Sequence, residues 1–262
     1  MRIPLEDQGI GFFFGSGDNG PMNNTATIKT TKRRAEERGH RDHGWLQARF
    51  TFSFADYFDP DHMGFRSLRV MNNDTIQPGG GFPTHPHSEM EIFTYLIEGQ
   101  LEHRDSLGNG AVLTPGNLQY MSAGSGIRHS EFNPSQTQKT QLYQIWLEPN
   151  EQGGEPRYME KPLADLAREN ELTLLYSGNG RDGSTAIRQN AEIFYGQLNA
   201  DEQLSVAAAQ DLPHAWIQMI SGSLSLLGDS LQAGDGLAIE NAAEAFPIES
   251  FADSSFLLFR LS

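Results

Sequence analysis

Two triplets, His85-Pro86-His87 and His129-Ser130-Glu131, lie in sequence that alternates apolar and polar residues. In a strand, side chains at i and i+2 share a face, so each triplet delivers two ligand-capable groups to one side of a sheet. If the two strands are neighbours, three imidazoles and one carboxylate converge on a point. On an inward face that grouping is costly without a cation, because the carboxylate is poorly hydrated. The chain has no cysteine, which excludes disulfides and thiolate metal sites and leaves histidine and carboxylates as ligands.

The surrounding sequence is sheet-forming. Phe50-Thr51-Phe52-Ser53-Phe54 alternates as a half-buried strand does. Leu68-Arg69-Val70-Met71 predicts a second strand, stopped by Asn72-Asn73-Asp74. Pro78-Gly79-Gly80-Gly81 predicts a turn, and 91–97 a strand bounded by Glu98-Gly99. A hairpin loop is expected around Gly108-Asn109-Gly110, and a strand over 141–147. Only 163–171 has a helical pattern. Short strands punctuated by Gly and Pro point to an all-β sandwich or barrel.

A faint repeat divides the chain. Ile97-Glu98-Gly99-Gln100-Leu101 returns as Ile220-Ser221-Gly222-Ser223-Leu224, and Leu113-Thr114-Pro115-Gly116-Asn117 as Leu231-Gln232-Ala233-Gly234-Asp235. The same order twice argues for two copies of one β-fold, with the junction near 148–162. Counting from the glycines puts the second-copy equivalents of the ligand pairs near Ala208 and Gln210, and near Pro247 and Glu249. The second half has a single histidine, His214, so one copy is expected to bind metal and the other to be scaffold.

With 262 residues and 37% hydrophobic content the chain can bury real cores. A net charge of −15 argues against direct DNA binding, which needs Lys and Arg to neutralise phosphates. The basic run Lys29, Lys32, Arg33, Arg34 is read as a solvated arm leading into the first strand. No apolar stretch is long enough to cross a bilayer, and no secretory signal pattern opens the chain, so a cytoplasmic location is expected. Residues 1–34 are expected to form a poorly structured extension. Of these, 1–24 are read as an added or native extension, or a leader ahead of a second start at Met22. They include the isolated cluster Phe12-Phe13-Phe14, which would be costly to leave in water and could dock on the domain.

Gly79 through Glu91 fits the first cupin motif: glycine, five residues, His-x-His, three residues, glutamate. Gly116, Ala123-Gly124, His129 and Asn133 resemble the second. The runs Asp42-His43-Gly44-Trp45-Leu46, Thr51-Phe52-Ser53-Phe54, Met63-Gly64-Phe65, Gly81-Phe82-Pro83-Thr84-His85-Pro86-His87 and Gly124-Ser125-Gly126-Ile127-Arg128-His129-Ser130-Glu131 resemble the pirin family. The likeness is to its bacterial branch with quercetin 2,3-dioxygenase activity, over roughly 35–262.

The resemblance implies a bicupin: two tandem jelly-roll β-barrels with few short helices, divided as a metal-binding domain over 35–155 and a metal-free one over 156–262. It implies metal ligands at His85, His87, His129 and Glu131, with Glu91 outside the coordination sphere. Three imidazoles and a carboxylate suit one first-row divalent ion, and an octahedral ion keeps two positions open. Fe(II) is therefore expected, with Mn, Ni, Co and Cu as alternatives. The implied reaction is cleavage of a flavonol by O2 with release of carbon monoxide, with Glu131 as the base. The pocket is expected to draw on Phe52, Phe54, Met63, Phe82, Phe93, Tyr120 and Phe132, at least half of them being ordinary core. One departure is Phe50, which stands where relatives usually have histidine. Two other readings are a redox-sensing regulator that binds a protein partner, and a cupin acting on a substrate other than a flavonoid. His43, His62, His103 and His214, without partners at strand spacing, are expected to be hydrogen-bonded or exposed.

Overall fold

Strand Thr140–Leu147 shows how this chain uses its apolar residues. Leu142, Gln144 and Trp146 point into one barrel, while Tyr143, Ile145 and Leu147 join a core shared with the other half of the chain. Strand Glu91–Glu98 is built the same way: Ile92, Thr94 and Leu96 face the barrel, and Phe93 and Tyr95 the shared core. Burial on both faces explains why these segments read as near-continuous apolar runs.

The structure is a computed structural model that describes residues 27–262. Phe12-Phe13-Phe14 and the rest of 1–24 lie outside the described residues. The described chain forms two cupin barrels, each a seven-stranded sheet facing a four-stranded one. In the first lobe the larger sheet runs, in spatial order, through Arg157–Pro162, Asn117–Ser122, Glu91–Glu98, Thr140–Leu147, Leu68–Ile76, Leu46–Phe50 and Gly39–Asp42. The smaller runs through Gly81–His87, Ile127–Phe132, Leu101–Asp105 and Gly110–Leu113. The second lobe repeats the plan, with Glu171–Ser177, Ala191–Leu198, His214–Ser221, Gly236–Glu240 and Ser254–Leu261 in its larger sheet.

The repeat seen in sequence is one tight corner used twice. Gly99 and Gly222 both turn a long strand of the larger sheet into a strand of the smaller one, at φ of 83° and 76°. A Cβ at Gly99 would lie 2.4 Å from the Lys139 carbonyl, and one at Gly222 2.4 Å from the Asp253 carbonyl. Both corners press on the chain just before the strand that closes its lobe, so glycine is required twice for the same reason.

Several local expectations differ from what forms. Residues 29–34 are not an unstructured extension: Lys29–Arg33 is a strand paired along Gly236–Glu240 of the second lobe. Lys32 and Arg33 are not part of a solvated arm, whereas Lys29 and Arg34 are exposed. Lys32 Nζ lies 2.9 Å from Asp235, and buried Arg33 bonds Tyr57 Oη and Asp59 of the first lobe. Alternation sends Lys32 to one lobe and Arg33 to the other. Likewise, Arg157–Pro162 still pairs with Asn117–Ser122, so the chain leaves the first lobe's sheet only after Pro162.

The Leu68 strand does not stop at Asn72 but runs to Ile76, because Asn72 and Asp74 face a polar section of the barrel. Nor is 50–54 a half-buried strand. The strand Leu46–Phe50 ends at Phe50, and the irregular segment that follows buries Thr51 and Ser53 as well as Phe52. The helix expected over 163–171 is one turn, Leu163–Leu166, followed by a strand from Glu171.

Candidate metal centre

Each lobe has a barrel interior, and the two are filled differently. The second is one continuous apolar cluster that includes Val206, Ile217, Phe246, Ile248 and Leu258. Its inward positions on the strand pair matching the ligand strands are Phe246 and Ile248, facing Val206 and Leu204. Pro247 and Glu249, the counted equivalents, point outward. The first barrel instead has two apolar clusters, one around Ile76, Leu96 and Leu142, the other around Ile92, Met121 and Ile127. Between them lies a polar row across the larger sheet: Asn72 opposite Gln144, Gln144 opposite Thr94, and Thr94 opposite Gln119.

The smaller sheet carries the histidines. In its register His129 lies opposite His85 on one side and Asp105 on the other, and Glu131 lies opposite His103. A bulge at Pro83-Thr84 shifts the pairing so that Glu131 meets Phe82. Pro83 has no N–H for the ladder, and its carbonyl accepts a hydrogen bond from His85 Nδ1 at 2.8 Å.

The rings of His85, His87 and His129 stand 4.5–4.9 Å apart by centroid, and one ring nitrogen of each falls within a common 4.8 Å group. His85 Nε2 and His129 Nε2 are 3.0 Å apart. That is the separation of neighbouring ligands each about 2.1 Å from one ion with a right angle between them. Burial, reinforced by the neighbouring imidazoles, holds His87 down to about 4 and His129 to about 3, so both rings are neutral near pH 7 and present lone pairs. Glu131 is buried; its Oε2 accepts from Gln144 Nε2 at 2.8 Å and its Oε1 from Thr94 Oγ1 at 3.4 Å. It groups with His129 and His103 within the same reach. Neutral imidazoles converging beside a buried carboxylate form a donor set that fits a divalent transition metal.

A cavity of about 180 Å³ opens on this group. Its walls are Phe54, Val70, Phe82, Ile92 and Trp146, with Asn72, Asp74 and Gln144 among them. The Oδ1 atoms of Asn72 and Asp74 are buried without a hydrogen-bond partner. Burial, with the charge of Glu131 second, pushes the Asp74 carboxyl up to about 7.

Of the aromatics expected to line the pocket, Phe54 and Phe82 do so. Phe52, Phe93 and Tyr120 belong to the shared core, and Met63 is exposed. Phe50 does not reach the cavity; it stacks on Tyr57 at 5.8 Å, so the departure at this position alters the wall behind Phe54. Glu91 is away from the histidines, as expected. It shares the face of Phe93 and Tyr95, accepting from Tyr120 Oη, Ser122 Oγ and the Arg188 backbone N–H. His62 and His214 are hydrogen-bonded and His43 is exposed.

His103 differs from the expectation in one respect. It is buried and hydrogen-bonded, but it has a partner at strand spacing, Asp105, and its ring lies against His129. The signal is present in the sequence as His103-Arg104-Asp105, a third pair of polar groups two residues apart. Asn72 and Asp74 are obscured because Asn72-Asn73-Asp74 has the composition of a turn, and Gln144 carries no comparable signal because a single polar residue in a strand usually faces water.

The Pirin family profile matches residues 30–147, and a profile described as the quercetinase C-terminal cupin domain matches 174–261. Quercetin 2,3-dioxygenase of Escherichia coli K12 is 47% identical over 229 residues, which span 87% of this chain and 97% of that protein. A pirin-like protein of Caulobacter vibrioides is 40% identical over 221 residues, spanning 84% of this chain and 94% of that one. The crystal structure of the bacterial pirin YhhW from E. coli in complex with nickel(II) superposes with a TM-score of 0.84 at 45% identity, covering 89% of this chain and 99% of that one. Barrel order, histidine-bearing strands and these similarities agree: the chain belongs to the pirin family.

Proposed function

We propose that this protein is a metal-dependent dioxygenase that opens a flavonol-like aromatic ring with O2 and releases carbon monoxide. His85, His87, His129 and Glu131 would hold one divalent transition metal, with Fe(II) expected. The observation that carries this reading is the convergence of neutral imidazoles at the foot of an apolar cavity with a buried carboxylate on its wall. The quercetin 2,3-dioxygenase name of a relative at 47% identity supports the reaction class.

A metal held by these residues would supply Lewis acidity, making a nearby hydroxyl easier to deprotonate. The chain's residues do the rest. Glu131 takes up the hydroxyl proton, since it is the carboxylate beside the imidazoles and its orientation is fixed by Gln144 and Thr94. Phe54, Val70, Phe82, Ile92 and Trp146 hold a flat aromatic body and keep water from the reacting carbons. Asn72 Oδ1 and Asp74 Oδ1, both unpartnered, accept hydrogen bonds from hydroxyls elsewhere on the substrate. A polyhydroxylated planar aromatic satisfies both the walls and these acceptors.

Anaerobic loading with Fe, Mn, Ni, Co or Cu, followed by quercetin and O2, tests the proposal. Carbon monoxide in stoichiometry with flavonol loss is the expected result. No turnover with any metal, together with redox-dependent capture of a protein partner, would replace it with the regulatory reading.

A further inference from the structure

Four hydrogen-bonding junctions link Pro83 to Asp105 through three imidazoles, and their ends have fixed polarity. Pro83 O faces His85 Nδ1 at 2.8 Å; His85 Nε2 faces His129 Nε2 at 3.0 Å. His129 Nδ1 faces His103 Nδ1 at 3.4 Å, and His103 Nε2 faces Asp105 Oδ2 at 3.3 Å. A carbonyl and a carboxylate only accept, so the outer junctions each need a ring proton. With one proton on each ring, three protons serve four junctions. One inner junction is therefore left with two lone pairs facing each other, and a cation relieves that repulsion.

We infer that Asp105 and His103 are positioning residues that set the polarity of this row and place the facing lone pairs between His85 and His129. This role rests on the metal reading above and adds two residues that are not ligands in it. With its proton held at Nε2 by Asp105, His103 offers a lone pair at Nδ1. That lone pair gives the Nδ1–H of His129 an acceptor, and a His129 that donates there turns its Nε2 lone pair toward that of His85, the arrangement a cation between the two requires. The other inner junction, at 3.4 Å, is thereby occupied by a proton. His103 and Asp105 side chains are both fully covered, and His103 stacks on Tyr158 at 4.6 Å, so the row is held rigidly.

Asp105 is itself anchored. Its Oδ1 accepts the backbone N–H groups of Leu107 and Asn109 at 2.9 and 3.0 Å, and its Oδ2 accepts from Asn109 Nδ2 at 2.9 Å. This anchoring makes Asp105→Asn an informative variant. Its amide oxygen must take over the two backbone donors, which turns the amide nitrogen toward His103 Nε2. Two rings then reverse while His85 keeps its proton on Nδ1 toward the Pro83 carbonyl: His103 donates from Nδ1, and His129 donates from Nε2 to His85. A proton then fills the junction between His85 and His129 while the loop keeps its backbone bonds.

The test combines the full chain's ring-nitrogen NMR with Ni(II) titration. In the metal-free protein His129 should carry its proton on Nδ1 and His103 on Nε2; a proton on His129 Nε2 overturns the inference, and this reading needs no variant. Asp105→Asn should move the His129 proton to Nε2 and weaken Ni(II) binding roughly 10- to 100-fold, the usual cost of losing an outer partner. Unchanged tautomer and affinity in a folded Asp105→Asn chain also overturn it. The paired substitution His85→Ala with His87→Ala separates the two failures. If Ni(II) stays equimolar there, the metal reading falls, whereas its loss there with an indifferent Asp105→Asn removes only the polarity row.

Discussion

At the scale of single residues, the site depends on which polar groups are buried without a partner. Glu131 has two donors and faces the imidazoles, and in the proposed reading it is both a metal ligand and the proton acceptor. Glu131→Gln should retain part of the metal while lowering kcat more than it raises KM, roughly 10²-fold or more, the scale of a lost general base. Equal turnover at full metal occupancy would remove Glu131 from that role. Asp74 offers a pH test. Its folded value, raised to about 7 by burial, exceeds the unfolded one, so its contribution to stability is present at low pH and lost as pH climbs from the ordinary carboxylate range through about 7. In the metal-free protein, the Tm of Asp74→Asn relative to the parent should therefore rise between about pH 5 and about pH 8. A difference that stays flat would show that Asp74 is ionised throughout. These polar residues are hard to recognise in sequence because Asn72-Asn73-Asp74 has the composition of a turn. Only the barrel shows that two of the three face inward.

At the scale of elements, parity decides roles. His85 with His87, and His129 with Glu131, share faces as strand spacing requires, and that much is legible in the sequence alone. The same rule applied to 91–98 explains Glu91: it falls with Phe93 and Tyr95 on the outer face, away from the histidines. Parity does not show where a strand ends, so sequence makes the run at 50–54 look too regular and the one at 68–76 too short. The corner glycines are legible as a repeat, and the structure supplies the physical reason. Gly99→Ala would combine a left-handed backbone with a Cβ 2.4 Å from a carbonyl oxygen. A loss of about 2–4 kcal/mol is expected from strain and overlap together, read as a lower midpoint in urea. A loss below about 0.5 kcal/mol would mean that the corner can relax.

At the scale of the whole molecule, the lobes are joined by a common core and by polar ties across it. Phe93 and Tyr120 of the first lobe meet Tyr176 of the second at 5.0 and 5.3 Å. Glu91 adds a tie by accepting the Arg188 N–H at 3.0 Å, and the Lys29–Arg33 strand crosses from one lobe to the other. Glu91→Ala strands two buried hydroxyls and that N–H, so a cost of about 2–4 kcal/mol is expected, with metal stoichiometry unchanged. Loss of bound metal in a folded Glu91→Ala chain would instead place Glu91 at the centre.

By itself, the sequence determined the strand texture, the duplication and the identity of the histidine triplets, because these follow from local spacing and from glycine's freedom at tight corners. Tertiary structure decided which neighbours those triplets meet. It set His103 and Asp105 behind His129, turned Asn72 and Asp74 inward, filled the second barrel with Phe246 and Ile248, and laid the Lys29 strand on the far lobe. Such pairings arise from the register between strands distant in sequence, and no local pattern encodes which face of one sheet will close over another.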